Sequence, residues 1–192
     1  MQYQMVLRNA VRDVETALVN LHSAQQRNLS LSLEIQPGLE NMETQGDPTR
    51  IRQILVNLLG NALKFTQKGE IRLQVDYRFQ TAYFTVQDTG CGIAKEDLQR
   101  IFTPFERGRN VVQGGFSGTG LGLPIVKLLV DLLGGQLTVS SELNRGTSFH
   151  IKLYLPSKDL IHPIRNLHSN QIVGYVGERK RILVVDNEAV DR

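Results

Sequence analysis

The sequence predicts an α/β two-layer sandwich, in which a mixed and mostly antiparallel sheet is covered on one face by about three helices. Stretches of alternating apolar and polar residues, typical of strands covered on one face, are interleaved with stretches in which apolar residues recur every three or four positions, typical of amphipathic helices. The composition fits a folded chain, because 41% of the 192 residues are hydrophobic and 21% are charged.

The first part of the chain predicts a helix, a strand and a longer helix. Apolar residues at helical spacing predict an amphipathic helix over residues 9–27. Residues 29–35 alternate strictly between apolar and polar, which predicts a strand. Asp47 followed by Pro48 is typical of a helix start, since the aspartate can cap and the proline suits the first turn. The apolar stripe that follows predicts a helix ending near residues 68–69.

The sequence from residue 71 to residue 155 predicts a hairpin, followed by further helices and strands. Residues 71–77 and 82–87 alternate between apolar and polar, and predict two strands joined around residues 79–81. The elements predicted after the hairpin are a short helix, a glycine-rich loop, a helix and two strands: residues 95–100, 106–117, 119–133, 136–141 and 147–155.

The pattern of the sequence divides the chain into three parts. Residues 1–156 form the predicted sandwich domain, and residues 157–180, which lack periodicity, are interpreted as a linker. Residues 181–192 (RILVVDNEAVDR) begin with a continuous apolar run ending at Asp186, which is typical of the first buried strand of a parallel sheet. We therefore expect the truncated start of a second domain there.

Charge and composition exclude several classes of function. A net charge of +3, from 22 Lys and Arg against 19 Asp and Glu, is too small to indicate a nucleic acid or an anionic membrane as partner. No apolar run approaches the roughly 18–20 residues that a membrane span needs, and the first residues do not resemble a signal peptide. The single cysteine, Cys91, fits a reducing compartment. We therefore expect a cytoplasmic domain without membrane contact of its own, and anchoring of the parent protein in the inner membrane stays open.

The first motif with chemical potential lies on the helix that follows Asp47. Asn57, Asn61 and Lys64 are spaced four and three residues apart, so they share one helix face. Amide oxygens can bind Mg²⁺ without adding charge, and a lysine can reach a phosphate. Taken alone, the same pattern equally fits a solvated helix face.

The second motif is glycine-rich and follows a predicted strand. Asp88, Gly90 and Gly92 occur in DTGCG, where glycines let the backbone approach a ligand and the carboxylate can accept a hydrogen bond from an exocyclic amine. A tight turn capped by the aspartate is the alternative. Cys91 is interpreted as a buried small residue rather than a nucleophile.

Two further motifs complete the set. Phe102 and Phe105 in FTPF would, in isolation, indicate core aromatics around a proline bend. Residues 118–123 (GTGLGL) place glycines at alternate positions before a helix, where backbone N–H groups and the helix dipole favour phosphates. This spacing differs from the dinucleotide-binding fingerprint, so a Rossmann fold is not expected.

Together, residues 57–66 (NLLGNALKFT), 88–93 (DTGCGI), 102–105 and 118–123 resemble the N, G1, F and G2 boxes of the catalytic ATP-binding domain of sensor histidine kinases. The resemblance covers about residues 6–156. It implies the Bergerat fold of the GHKL superfamily, which gyrase, Hsp90 and the mismatch-repair ATPases share, with ATP and Mg²⁺ as cofactors.

The resemblance also implies roles for individual residues. By that similarity Asp88 binds the adenine amine, Asn57 and Asn61 hold Mg²⁺, Lys64 and Arg107 contact phosphates, and residues 106–117 are the ATP lid. The other residues implied to bind the nucleotide are Gly90, Gly92, Phe102, Phe105, Gly118, Thr119, Gly120, Leu121 and Gly122.

The resemblance favours a protein histidine kinase over an ATPase. Relatives that hydrolyse ATP carry a glutamate one turn before the magnesium asparagine, and the amide of Asn57 cannot replace it as a base. None of the four histidines lies in a phosphoacceptor motif, so we expect that this fragment cannot phosphorylate itself. The implied partner is the histidine-containing dimerisation domain of the parent kinase, and without it we expect a monomer.

Residues 181–192 resemble the start of a response-regulator receiver, which implies a hybrid kinase and a receiver domain or response regulator as partner in a phosphorelay. Asn187 stands where receivers usually carry a second acid, which leaves the metal binding of that domain open. Two alternative functions remain at this point: a non-enzymatic regulatory docking module of the same fold, and a GHKL ATPase.

Overall fold

The computed structural model describes residues 4–6 by their backbone and residues 29–39, 42–106 and 119–157 in full. It contains seven strands, two α-helices and one 3₁₀ turn within these residues. In chain order they are β1 (Gln4–Val6), β2 (Leu29–Ile35), β3 (Glu43–Gln45), α1 (Pro48–Phe65), β4 (Gly69–Arg78), β5 (Thr81–Asp88), the 3₁₀ turn (Arg100–Phe102), α2 (Gly122–Leu132), β6 (Gln136–Glu142) and β7 (Gly146–Tyr154).

Five strands form the main sheet in the order β2-β4-β5-β7-β6. Only the pair of β2 and β4 is parallel, and the other three pairs are antiparallel. The predicted mixed, mostly antiparallel sheet is therefore confirmed. β1 and β3 form a separate antiparallel pair, and the helix predicted over residues 9–27 lies outside the described residues.

α1 begins where the sequence predicts. The Asp47 carboxylate accepts hydrogen bonds from the backbone N–H groups of Thr49 and Arg50, at 3.0 and 3.2 Å, and Pro48 occupies the first turn. The helix ends at Phe65, about three residues before the predicted end. Its apolar stripe is buried: Ile51, Ile54, Leu55, Leu58, Leu59 and Ala62.

The core lies between the helices and one face of the sheet. Alternate residues of β4, β5 and β7 point toward α1 and α2: Ile71, Leu73, Val75, Tyr77, Ala82, Phe84, Val86, Phe149, Ile151 and Leu153. The residues between them form an open and mainly polar sheet face. His150 alternates with the buried residues Phe149 and Ile151, so it lies exposed on that face, with its Nδ1 atom 3.2 Å from Thr85 Oγ1.

The observed elements differ from the predicted ones in three places. Residues 95–99 form turns and are followed by the 3₁₀ turn instead of a short helix. α2 begins at Gly122 rather than at residue 119. β1 and β3 were not predicted, because strands of three residues are too short to show a period.

All the described residues belong to one compact unit of the chain, Met1–Ile161. No helix within the described residues has the length and apolarity needed to cross a membrane.

Candidate functional site

One cavity of about 330 Å³ collects residues from distant parts of the sequence. α1, the end of β5, the segment after β5, the start of α2 and the start of β7 all contribute to its wall. The lining residues are Asn61, Ala62, Lys64, Phe65, Asp88, Cys91, Gly92, Ile93, Ala94, Asp97, Ile101, Glu106, Thr119, Gly120, Gly122, Leu123, Pro124, Thr147 and Phe149.

Asp88 is the buried carboxylate of this cavity. It is the last residue of β5, and only 8% of its surface is exposed. Burial raises its pKa above the ordinary value, and the backbone N–H groups of Gly90 and Thr147, which donate to the carboxylate, oppose that shift without cancelling it. The contact from Gly90 N to Asp88 Oδ1 is 2.8 Å. The carboxylate is thus held in one orientation and keeps acceptor capacity for a ligand.

The segment after Asp88 packs backbone against backbone on the turn between β6 and β7. Asn144 N donates to Cys91 O at 2.8 Å, and Ile93 N donates to Ser141 Oγ at 2.8 Å. Gly92 has a φ of +68°, and a Cβ atom there would lie 2.0 Å from the carbonyl oxygen of Glu142. Only glycine allows this approach, which brings the backbone of Gly92 into the cavity wall.

The predicted magnesium and phosphate residues lie close to the start of α2. A Cβ atom placed on Gly122 would lie 3.8 Å from Asn61 Nδ2 and 3.9 Å from Asn57 Oδ1, so the two amides meet at the first residue of that helix. No side chain caps α2 at Leu121, which leaves N–H groups of its first turn available to an anion. Lys64 lines the same cavity.

The described residues that flank the predicted lid, Phe105 and Gly120, are in contact with each other. Phe105 N donates to Gly120 O at 3.3 Å, and Arg100 Nε lies 2.8 Å from Glu106 Oε2. Phe105 is 75% exposed with a φ of +64°, whereas Phe102 is partly buried against the core. Neither phenylalanine lines the cavity.

The structure therefore brings most of the predicted site residues together. Those that line the cavity are Asn61, Lys64, Asp88, Gly92, Thr119, Gly120 and Gly122. Asn57 reaches the start of α2, Gly90 orients Asp88, and Leu121 precedes α2. Arg107, Gly118 and the rest of the predicted lid beyond Glu106 lie outside the described residues.

Sequence reasoning did not single out Thr147, which is 6% exposed and lines the cavity beside Asp88. Its hydroxyl lies 2.9 Å from the hydroxyl of Ser141. The register of the sheet explains the position, because Asp88 and Thr147 are direct partners in the pairing of β5 with β7. Aligning the end of the predicted strand that contains Asp88 with the start of the predicted strand 147–155 could have identified Thr147 as its neighbour.

The apolar wall of the cavity was also missed, because its members are ordinary core residues in the sequence. Ile93, Ile101 and Phe149 supply it. Cys91 is half-buried in the same wall rather than fully buried as predicted, and burial raises the pKa of its thiol. A thiol of raised pKa is a poor nucleophile at neutral pH, which agrees with a packing role.

Within the described residues, no group of three or more His, Cys, Asp or Glu side chains is placed to hold a metal ion. The amides of Asn57 and Asn61 are a separate kind of donor. The Asn61 amide can turn its oxygen to the place of its nitrogen, since the two atoms have nearly the same shape. Two neutral oxygens near the first turn of a helix fit a hydrated Mg²⁺ that also binds phosphate oxygens.

Residues 46–157 match the family of histidine kinase-, DNA gyrase B-, and HSP90-like ATPases. The signal transduction histidine-protein kinase BarA of Escherichia coli K12 is 37% identical over 156 residues, which cover 78% of this chain and 17% of BarA. The autoinducer 2 sensor kinase/phosphatase LuxQ of Vibrio cholerae is 48% identical over 113 residues, 57% of this chain and 13% of LuxQ. The chain thus spans less than a fifth of the length of these relatives.

Solved structures share the fold. Full-length ShkA in complex with AMPPNP superimposes with a TM-score of 0.69 at 29% identity, over 81% of this chain and 31% of ShkA. The nucleotide-free catalytic domain of the histidine kinase ThkA superimposes with a TM-score of 0.66 at 26% identity, over 80% of this chain and 95% of that domain. The likeness to ThkA extends over almost the whole of an isolated catalytic domain.

Proposed function

This chain belongs to the family of histidine kinase-, DNA gyrase B- and HSP90-like ATPases and carries a catalytic ATP-binding domain of the histidine-kinase type, and from this we propose that it transfers the γ-phosphate of ATP to a histidine on a separate dimerisation domain. The observation that carries the proposal is a cavity lined by the buried carboxylate of Asp88 and by Asn61, whose amide lies with that of Asn57 at the start of α2.

The base of the nucleotide would occupy the end of the cavity near Asp88. An exocyclic amine donates hydrogen bonds, and the ionised carboxylate, oriented by Gly90, accepts one. The apolar side chains of Ile93, Ile101 and Phe149 offer apolar contact area to the faces of a purine ring. This pairing of one fixed acceptor with apolar walls suits adenine.

The phosphates would lie toward the first turn of α2. Its uncapped N–H groups and the ammonium of Lys64 favour negative charge, and we assign Arg107 of the lid to the same task. We assign Asn57 and Asn61 to Mg²⁺, which when bound would neutralise charge on the phosphate oxygens. Gly122 leaves the space between these amides and the helix open.

Asn57 bears on what happens to the phosphoryl group. A carboxylate at this position could take a proton from water, and an amide cannot. A histidine acceptor needs no such base, because the imidazole is itself the nucleophile. The cavity residues then have only to position the γ-phosphoryl group and balance its charge, which favours transfer to a protein over hydrolysis.

We further propose that residues 1–156 are this catalytic domain, that residues 157–180 are a linker and that residues 181–192 open a receiver domain. The apolar run that ends at Asp186 supports that last assignment. The parent would then be a hybrid kinase that works in a phosphorelay with a receiver or response regulator. We place the domain in the cytoplasm, which its single cysteine supports.

A titration with a non-hydrolysable ATP analogue, followed by calorimetry with and without Mg²⁺, tests the nucleotide site. The unmodified chain should bind, more tightly with Mg²⁺. Asp88→Asn keeps the oxygen that accepts from Gly90 but adds a donor where the adenine amine approaches, so affinity should fall about tenfold or more.

Asp76→Asn is the matched control, because Asp76 lies on β4 at the open face of the sheet, away from the cavity. It should bind like the unmodified chain. Failure of the unmodified chain to bind, or equal affinity for Asp88→Asn, would contradict the proposed site.

A further inference from the structure

Ser141 lies in β6 behind the end of the cavity that contains Asp88, and it makes three polar contacts. Its Oγ accepts from Ile93 N at 2.8 Å, donates to the carbonyl oxygen of Gly146 at 2.8 Å, and lies 2.9 Å from Thr147 Oγ1. Ser141 itself does not line the cavity, whereas Thr147 does.

These contacts determine which of the two hydroxyl groups donates. A serine hydroxyl carries one hydrogen, and a carbonyl oxygen can only accept. If that hydrogen pointed at Thr147, the oxygens of Ser141 and Gly146 would face each other at 2.8 Å without a hydrogen between them, which is repulsive. The Ser141 hydrogen therefore lies on the carbonyl of Gly146. The hydrogen between the two hydroxyls then belongs to Thr147.

The direction of this hydrogen determines what the Thr147 hydroxyl offers to a ligand in the cavity. With its hydrogen directed at Ser141, the Thr147 hydroxyl offers a ligand only lone pairs. The carboxylate of Asp88, to which the Thr147 backbone N–H donates, also offers only lone pairs when ionised. Asp88 and Thr147, which are direct partners in the pairing of β5 with β7, thus both present acceptors at the base end of the cavity.

We propose that Ser141 is a positioning residue that sets the base specificity of this domain, acting through the hydroxyl of Thr147. This inference rests on the proposed binding of ATP in the cavity. A 6-amino purine presents hydrogen-bond donors at position 6, whereas a 6-keto purine presents an acceptor there. At position 6, an acceptor-only surface accepts the amine and repels the keto oxygen. Ser141 strengthens this preference because it prevents Thr147 from turning to donate to the keto oxygen.

The test compares ADP with inosine diphosphate, since these ligands share sugar and phosphates and differ at the base edge that faces Asp88. Their affinities are measured by calorimetry for the unmodified chain and for Ser141→Ala. Without Ser141 the Thr147 hydroxyl is free to donate to the keto oxygen, so the preference for ADP should fall about fivefold, the worth of one hydrogen bond. A purely structural role would weaken both ligands alike and leave the ratio unchanged.

Two variants serve as controls. Ser141→Thr retains the hydroxyl and should retain the preference of the unmodified chain. Ser140→Ala removes the neighbouring hydroxyl of β6, whose side chain is exposed, and should change neither affinity. A fall in the preference for either control would overturn the proposal.

Ser141→Ala leaves Ile93 N–H and the Gly146 carbonyl without their partner, so a second variant covers the case in which it does not fold. Thr147→Val keeps these two contacts and removes the acceptor from the cavity. It should lower the preference for ADP by a similar factor. An unchanged ratio in Thr147→Val, or in a folded Ser141→Ala, would overturn the inference, whereas failure of the unmodified chain to bind ADP would overturn the proposed function itself.

Discussion

At the scale of single residues, Asp88 is a charged group that is largely buried. Its buried charge lowers the stability of the fold, whereas the same charge is suited to binding a ligand. The backbone N–H groups of Gly90 and Thr147 support the carboxylate, yet burial still raises its pKa. The folded chain therefore holds a charge that it solvates less well than water does. Functional sites commonly keep such groups at a cost in stability.

Replacing Asp88 with asparagine should therefore raise the melting temperature at neutral pH. Below about pH 3, the carboxyl group is mainly protonated in the folded and unfolded chains, so it adds little penalty. As the pH rises from the ordinary pKa of the unfolded chain through the raised pKa of the folded chain, the unfolded chain ionises more readily and the folded state loses stability. The difference in melting temperature between Asp88→Asn and the unmodified chain should grow from pH 4 to pH 7, as measured by circular dichroism. A lower melting temperature of the variant at pH 7 would contradict this account.

At Gly122, too, a substitution should affect ligand binding and stability differently. A Cβ atom on Gly122 would make ordinary contacts with the amides of Asn57 and Asn61, so Gly122→Ala should fold with a melting temperature close to that of the unmodified chain. The methyl group would fill the space assigned to Mg²⁺ and phosphate. Affinity for the ATP analogue with Mg²⁺ should fall about tenfold, which calorimetry measures. Adenosine, which has no phosphates, should bind both chains equally.

At the scale of elements, the site depends on close backbone contact between the segment after β5 and the turn between β6 and β7. Gly92 makes that contact, with a φ of +68°, against the carbonyl of Glu142. Gly134 has a nearly equal φ of +66° just after α2, but a Cβ atom there would meet nothing within 4 Å. The two glycines therefore separate the cost of an unfavourable φ from the cost of a clash.

We expect Gly134→Ala to lower the free energy of unfolding by about 1–2 kcal/mol, the cost of a left-handed conformation. Gly92→Ala adds a clash at 2.0 Å with backbone that cannot rotate away, so its cost should exceed that of Gly134→Ala by about 2 kcal/mol or more. Urea denaturation of both variants measures the difference. An equal decrease in the free energy of unfolding for both variants would mean that the turn between β6 and β7 can move to relieve the clash at no cost in stability.

The elements of the sandwich could be predicted from sequence because their signals are local. β2 matches its predicted bounds, and Asp47 caps α1 as expected. The end of α1 could not be predicted, because its last turn continues the apolar stripe and the helix ends where Cys91 N donates to Phe65 O. That contact joins residues far apart in sequence, which no local pattern contains.

The residues of the candidate site likewise fall into those that a local motif identifies and those that only the tertiary structure identifies. Asp88, Asn61 and the glycines at the start of α2 and just before it belong to motifs whose residue types suggest their chemistry. Thr147 and Ser141 stand in an ordinary strand pattern, and their importance comes only from the pairing of β7 with β5 and β6. Phe102 and Phe105 belong to a motif as well, yet their side chains lie outside the cavity wall.

At the scale of the whole molecule, the candidate nucleotide cavity and His150 lie on opposite faces of the sheet. The cavity lies on the helix side, where Phe149 contributes to its wall. His150 alternates with Phe149 and Ile151, so it lies on the open face beside Thr85. An imidazole on the far side of a sheet cannot reach a γ-phosphoryl group in the cavity. Of the other histidines, His22, His162 and His168 lie outside the described residues.

We expect the phosphoryl group to pass to a histidine on a separate dimerisation domain, as proposed above, and not to His150. We expect no acid-labile label on the isolated chain after incubation with Mg²⁺ and ATP labelled at the γ-phosphate. Addition of a helical dimerisation domain that carries a phosphoacceptor histidine should produce label on that domain, and Asp88→Asn should reduce it in proportion to its loss of ATP binding. His150→Gln, which changes only the open face, should transfer like the unmodified chain. Stoichiometric phosphohistidine on the isolated chain would show that it contains its own acceptor, and release of inorganic phosphate without labelled protein would identify an ATPase instead.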